Sequence, residues 1–266
     1  MSRGRFHVAR TAVEGIEAVA AESRHSFSRH THEAYGVGLI LSGAQKSASG
    51  RGPVEAGAGH VITVNPGEVH DGAPLGNAAR RWRMLYMQPS VVAAAARDIF
   101  EDRPRAEFHA PVLDDRRIAG HFLAAARALA ASEGSPTPGA EERLLILLAA
   151  LLRERPEGGP RRTAAIAKAR ARLDDDPAAP VSLHMLAGEC GIGRYRLLRD
   201  FARETGLTPH AYLLQRRTDL ARRLVAAGLP LSQAAATAGF ADQSHMTRHF
   251  VRRYGYTPGA YAAAFS

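Results

Sequence analysis

The chain has 266 residues, 45% of them apolar, a formal net charge of +9 and a single cysteine. That length allows two ordinary domains, and lone Cys190 excludes a disulfide framework. The start, MSRGRFHVARTAVEG, has no apolar core for a signal peptide, and the longest apolar run, Leu144 to Leu152, falls well short of the ~20 residues that span a bilayer, so a cytoplasmic protein without a membrane partner is expected.

Residues 25–90 read as β-structure. The short apolar runs YGVGLIL, HVITVN and WRMLYM alternate with Gly and Pro breaks such as SGRGP, EAGAG and NPGE. Strands this short and closely spaced suggest a barrel or sandwich. The run RRWRMLYMQ places Trp82, Met84, Tyr86 and Gln88 on one face and Arg83, Leu85 and Met87 on the other. Either set can face the interior.

From Val91 the pattern becomes helical. One helix is expected from about Asp115 to Ala131, with Ile118, Phe122, Ala125 and Leu129 as its stripe. GSPTPG (Gly134 to Gly139) ends it. A second helix, from Ala140 to about Arg153, is apolar nearly all round and should be buried on more than one side. RERPEGGPRR (Arg153 to Arg162) has the composition of a linker. Everything after it reads as helix. The expected fold class is α+β: a domain over residues 1–153 with its helical segment at about 114–153, a linker at 154–162, and an all-α domain over 163–266.

The charge follows this division. Residues 160–266 hold 16 Lys and Arg against 8 Asp and Glu, leaving 19 against 18 for residues 1–159. All basic residues except Lys46 and Lys168 are Arg. A basic domain joined to a nearly neutral one suggests a polyanion-binding module with a second function attached.

The all-helical part repeats itself at an offset of 49 residues: RYRLLRDFARETGLTPHAY (Arg194 to Tyr212) lies over QSHMTRHFVRRYGYTPGAY (Gln243 to Tyr261). Gly206 and Gly255 suit the left-handed residue after a helix. Each Thr-Pro supplies an N-cap and a proline for the first helical position. In both copies a short helix, a tight turn and a second helix follow in order, which is helix-turn-helix layout. There the second helix enters the major groove of DNA. Arg194, Tyr195, Arg196 and Arg199 stand on the first such helix, with Leu197, Leu198 and Phe201 available for packing. Gln243, Ser244, His245, Thr247 and Arg248 stand on the second. Arg suits guanine, Gln suits adenine, and Ser or Thr serve several bases. Arg203, Arg252 and Arg253 lie further along and are expected to meet phosphates.

GFADQSHMTRHFVRRYGYTPGAY closely resembles the second helix-turn-helix of the AraC/XylS family of bacterial transcription regulators. SLHMLAGECGIGRYRLLRDFARETGLTPHAYLLQRRTDLARRLV resembles the first with its connecting helix. The resemblance covers about residues 163–263. It implies two subdomains on one long helix, Thr208 to Ala227, presenting two reading helices to successive major grooves of double-stranded DNA. Two departures stand out. The family usually has branched apolar residues where this chain has Ala234 and Ala238, and Phe is commoner than Met246. With SLHMLAGEC offering Leu183, Met185 and Leu186 and LSQAAATAG mainly alanine, the second unit is expected to open more cheaply than the first.

HTHEAYGVGLILSG (His30 to Gly43) and GHVITVNPGEVHDG (Gly59 to Gly72) resemble the family's cupin-like sensor barrel. The resemblance implies a small-molecule effector, a homodimer and RNA polymerase as a further partner, in an activator or a repressor. Helices after such a barrel commonly form the dimer contact, a role that suits the Ile118/Phe122/Leu129 stripe and the helix carrying Leu148 and Leu151.

His30, His32 and His70, near Glu33, have the residue types of metal ligands. Metal-binding cupins place a Glu where this chain has Gly36 to Gly38, however, and Glu33 points away from His32 on a regular strand. The second motif, Pro66 to His70, is also one residue short. No metal and no cofactor is therefore expected. His30, His32, His70, Trp82 and Tyr86 are assigned to a ligand-pocket wall, with packed or capping histidines and a filled barrel core as the alternative readings. No nucleophile elbow, phosphate loop or Ser/His/Asp set is present, so no enzyme is expected. Competing readings are a metal-dependent cupin enzyme fused to a DNA-binding domain and an effector-independent DNA-binding regulator.

Overall fold

The computed structural model describes residues 4–49, 52–100, 106–130, 139–154 and 163–265. The chain divides into two compact units, Met1–Pro156 and Glu157–Ser266. Of the expected linker, only the backbone of Glu154 lies within the described residues, and of GSPTPG only Gly139.

The first unit contains β1 (Arg5–Arg10), β2 (Ile16–Ser23), β3 (Phe27–His30), β4 (Tyr35–Ser42), β5 (Ala44–Ser49), β6 (Gly52–Gly57), β7 (Val61–Val64), β8 (His70–Pro74) and β9 (Arg80–Met87). Then follow α1 (Pro89–Phe100), β10 (Ala106–Phe108), β11 (Val112–Leu113), α2 (Arg116–Ala130), α3 (Ala140–Leu151) and β12 (Leu152–Glu154). One antiparallel sheet runs β1-β2-β9-β4-β7-β11 and a second runs β3-β8-β5-β6.

Alternation on β9 decides the layering. Leu85 and Met87 join Val37 and Leu39 of β4, Val61 of β7 and the inner faces of α1, α2 and α3 in one apolar core. Trp82, Met84 and Tyr86 take the other face, toward the second sheet, where Trp82 meets Phe27 edge-on at 6.2 Å. Gln88 lies beyond the strand and is exposed. Gly36 and Gly38 sit opposite Tyr86 and Met84. A Cβ on Gly38 would lie 2.0 Å from the Met84 sulfur, so these glycines make room for β9's interior side chains.

Three sequence expectations are corrected. The β-structure begins at Arg5, not near residue 25: the Ala-rich run IEAVAAES pairs with β9 along its whole length and with β1 from Glu17 to Glu22. The second helix stops at Leu151. Leu152 turns extended, and β12 pairs with β10, which buries Phe108 and Leu152. The dimer stripe faces inward: Phe122, Leu129, Leu147, Leu148 and Leu151 are at most 1% exposed within a single chain. The large apolar residues that α2 and α3 show to solvent are Leu123 and Ile146, 41% and 44% exposed.

The second unit contains α4 (Ala164–Asp175), α5 (Leu183–Glu189), α6 (Arg194–Thr205), α7 (Pro209–Ala226), α8 (Leu231–Thr237), α9 (Gln243–Tyr254) and α10 (Pro258–Ala263). The start signals work as local chemistry requires. The side chains of Ser182, Thr208, Asp242 and Thr257 accept from backbone N–H groups three residues on. Gly206 and Gly255 take φ of 74° and 82°. Gly239 is constrained twice, by a φ of 79° and by Ala178 O, which a Cβ would approach to 2.7 Å.

The packing contrast behind the expected weakness of the second helix-turn-helix differs from the sequence reading. Leu183 and Met185, counted as packing residues of the first unit, are 36% and 49% exposed, and Leu198 is also exposed. Ala234, Ala235 and Ala238 are at most 1% exposed. Phe250 packs among Tyr254, Tyr256 and Tyr261 with ring centroids 4.7 to 5.9 Å away. Small residues let α8 lie close, and the aromatics supply the buried area that the alanines lack.

Candidate nucleic-acid interface and sensor site

On α6, Leu197 and Phe201 are buried and fix the helix, while Arg194, Tyr195, Arg196, Arg199 and Arg203 are exposed. Tyr195 is 76% exposed. Between the arginines stands Asp200, only 6% exposed. Its carboxylate takes the Nε–H of Arg199 at 3.1 Å and lies 3.5 Å from Arg196 Nε and 3.2 Å from Arg203 Nη1. The hydrogen bond from Arg199 leads the effects that hold the Asp200 carboxyl below its ordinary range. One acid thus organises three of the expected DNA contacts. It grips Arg199 by Nε, which leaves the Nη1/Nη2 edge for a base. The i,i+4 spacing of Arg196 and Asp200 was readable in the sequence; the burial that makes Asp200 a hub was not.

On α9, Met246 and Phe250 are buried, and Gln243, Ser244, Arg248 and Arg252 are exposed. His245 and Thr247 are half-buried. The His245 ring packs on Phe240 at 5.4 Å and on His249 at 4.8 Å. His249 holds the place of Asp200 in the repeat. Burial first, then His245 and Arg252, keep its pKa below the ordinary histidine value. Arg248 therefore stands beside neutral imidazole where Arg199 stands beside a carboxylate.

Arg253 is corrected. It is 6% exposed and cannot reach a phosphate. It donates to Gln215 O at 2.8 Å and pairs with Asp219 at 2.7 Å. Burial opposes its charge, but Asp219 and Tyr254 together outweigh that, leaving its pKa above the ordinary value. Tyr254 Oη also donates to Asp219, at 2.9 Å. Further along α7, Arg216 lies 3.5 Å from Asp219 and 3.0 Å from Asp174 on α4, and Tyr212 donates to the same Asp174 oxygen at 2.7 Å. Burial pushes the Tyr212 phenol up to about 12. A polar chain, buried at Asp219 and Arg253 and partly exposed at Arg216 and Asp174, therefore ties both helix-turn-helix units to the connecting helix.

In the first unit, β3 and β8 pair His30 with His70. His32 follows two residues on, and the three rings lie with centroids 4.4 to 5.0 Å apart. His30 Nδ1 lies 2.7 Å from Ser28 O, His70 Nδ1 3.1 Å from Glu68 O, and His30 Nε2 3.2 Å from His32 Nε2. Tyr86 stands 5.1 Å from the His32 ring. Glu33 is exposed and stays outside the cluster.

Sequence reasoning missed Arg80, whose side chain shares this interior. It is 1% exposed. It donates from Nη2 to His25 O at 3.1 Å and Gly72 O at 3.4 Å, and lies over the rings of Trp82 and Phe27 at 4.9 and 5.6 Å. Its Nε and Nη1 have no hydrogen-bond partner among the described residues. Burial lowers its pKa to about 10, so it stays a cation at neutral pH. The period-2 set Arg80, Trp82, Met84, Tyr86 carried the signal. A separate groove of about 780 Å³, lined by Arg5, Phe6, Glu22, Leu41 and Arg81 among others, reaches Trp82 but none of the three histidines.

Comparisons with known proteins agree with this geometry. Residues 13–149 match the AraC-like ligand binding domain, and residues 186–264 match a helix-turn-helix domain. The HTH-type transcriptional regulator YbfI of Bacillus subtilis is 27% identical over 83% of this chain and 81% of its own length. The probable transcriptional regulator LumQ of Photobacterium leiognathi is 45% identical over 30% of this chain and 33% of its own. Apo ToxT from Vibrio cholerae superposes with a TM-score of 0.59 at 13% identity, covering 100% of this chain and 99% of its own, which shows the fold. Among the described residues, no helix is long and apolar enough to cross a membrane. With a matching ligand-binding domain ahead of two helix-turn-helix units, the chain belongs to the AraC family of helix-turn-helix transcription regulators.

Proposed function

We propose that α6 and α9 read two successive major grooves of one operator in the cytoplasm, with residues 163–266 as the DNA-binding domain and residues 1–153 as sensor and dimerisation domain. The carrying observation is the repeated exposed face: Arg194, Tyr195, Arg196 and Arg199 on one helix and Gln243, Ser244 and Arg248 on the other, each backed by a buried Phe. Arg203 and Arg252 take phosphates. Sequencing DNA fragments selected by the purified chain tests this. Two sequence blocks about one helical turn apart, roughly 10–10.5 base pairs, are expected. Enrichment of a single block would leave one helix without a reading role. RNA polymerase is the further partner of the DNA-bound protein, and the barrel is read as a sensor without catalysis.

The effector binds between the sheets, against His30, His32, His70, Trp82 and Tyr86. A buried guanidinium with two unused donors and no carboxylate partner among the described residues favours an anionic effector. ToxT, of the same fold, has been crystallised with an unsaturated fatty acid. A thermal-shift screen should give its largest shifts with carboxylic acids, and Arg80→Met should lose those shifts while the chain stays folded. Equal shifts in both proteins would remove Arg80 from the site.

Dimerisation through the outward face of α2 and α3 accounts for exposed Leu123 and Ile146. Ile146→Glu should yield a folded monomer in sedimentation. Leu148→Glu, buried within one chain, should instead unfold the first unit. A dimeric Ile146→Glu/Leu123→Glu protein would place the interface elsewhere.

A further inference from the structure

The geometry points to a three-histidine site for a divalent transition-metal cation, built from His30, His32 and His70 between the two sheets. One ring nitrogen from each lies within 4.8 Å of those of the other two. The backbone places them: His30 and His70 are cross-strand partners, and His30, 6% exposed, is fixed by burial.

The hydrogen bonds set the chemistry. A carbonyl oxygen can only accept, so Nδ1 of His30 donates to Ser28 O and Nδ1 of His70 donates to Glu68 O. In each neutral ring the lone pair is then on Nε2. A backbone carbonyl on the second ring nitrogen is the usual way a protein orients a ligating histidine. His30 Nε2 and His32 Nε2 are 3.2 Å apart. Two nitrogens about 2.0–2.1 Å from one Zn²⁺ at a tetrahedral angle stand roughly 3.3–3.4 Å apart. That edge is in place, and the other nitrogen pairs, at most 4.8 Å apart, need to close by no more than about 1.5 Å. Both Nε2 atoms can face one cation once the proton of that contact is given up.

The site also has a selectivity. Among the described residues no carboxylate joins the cluster. Asp71 Oδ1 accepts from the backbone N–H of Ala48, and Glu68 Oε2 accepts from Asn65. The region next to Tyr86 and Met84, where a glutamate would approach, is closed by those side chains packing on Gly36 and Gly38. Neutral imidazoles alone suit Zn²⁺, Co²⁺, Ni²⁺ and Cu²⁺ and serve Mg²⁺ and Ca²⁺ poorly. Three protein ligands leave a fourth position for water or an effector oxygen. The site shares its walls with the proposed effector pocket, but metal titration reads it without any effector present, so either assignment can fail alone.

The test is calorimetric titration of the chelator-treated full chain with Zn²⁺, paired with Co²⁺ titration followed by visible absorption. One equivalent per chain is expected, with the intense visible bands of tetrahedral Co²⁺ and no heat with Mg²⁺. His32→Ala, at a half-buried position, and His70→Ala should each weaken binding at least tenfold, and His249→Gln should not. Far-UV circular dichroism reports folding, and if His70→Ala misfolds, His32→Ala decides. Unchanged Zn²⁺ affinity in His32→Ala, or a lack of stoichiometric binding by the parent chain, would overturn the proposal.

Discussion

Asp219→Ala should destabilise the second unit by about 3–5 kcal/mol, because it removes the carboxylate that balances the buried Arg253 cation. Arg253 keeps its hydrogen bond to Gln215 O, and Tyr254 loses Asp219 as its acceptor. The pair joins α9 to α7, so the second reading helix should loosen first. The two units are separable by probe. Trp82, the one tryptophan in the chain, lies in the first unit, while most of the second is helix. Urea unfolding should therefore show an earlier loss of helical circular dichroism with an unshifted Trp82 transition. The paired change Asp219→Leu with Arg253→Met removes both charges and should cost less than Asp219→Ala alone. A loss under about 1 kcal/mol for Asp219→Ala would mean that solvent reaches the pair and that it contributes like a surface bridge.

What the sequence made legible follows how local each determinant is. Caps, the left-handed glycines and the apolar positions of α6 and α9 depend on residues within one or two turns, and the 49-residue repeat doubled their signal. Strands were legible where Gly and Pro bracket β-branched runs, as at β4 and β7. They were not legible in IEAVAAES, where one partner, β1, carried no strand signal of its own and the other, β9, lies far along the chain. The inward direction of Leu148 and Leu151 was hidden for the same reason: an all-round apolar helix does not say whether its second face meets a sheet or another subunit. The buried charges Asp219, Arg253 and Arg80 were the hardest to foresee, since charged residues default to the surface unless a partner is supplied. In the sensor site, the period-2 rule put Trp82 and Tyr86 on one face but left open which face is interior, and only the β3–β8 register could show that His30 and His70 touch.

Arg199→Ala and Arg248→Ala should each weaken binding to the selected operator by about 1–3 kcal/mol, roughly five-fold to a hundred-fold, and relax base preference within one block only. The two arginines hold equivalent places in the repeat but differ in support. Asp200 fixes Arg199 through Nε at 3.1 Å, whereas His249 offers Arg248 no charge to hold it. Arg199 should therefore lose less entropy on meeting a base and show the larger effect of the two. Asp200→Asn separates positioning from contact. It keeps the shape, releases Arg196, Arg199 and Arg203, and removes a negative charge from the DNA face. Affinity for random DNA should rise while the ratio of specific to random binding falls. Arg252→Ala should weaken all sequences alike and lower the salt slope by about one. If Arg199→Ala and Arg248→Ala reduce specific and random binding equally, both arginines contact phosphates, and base reading falls to Gln243, Ser244 and the first turn of α6.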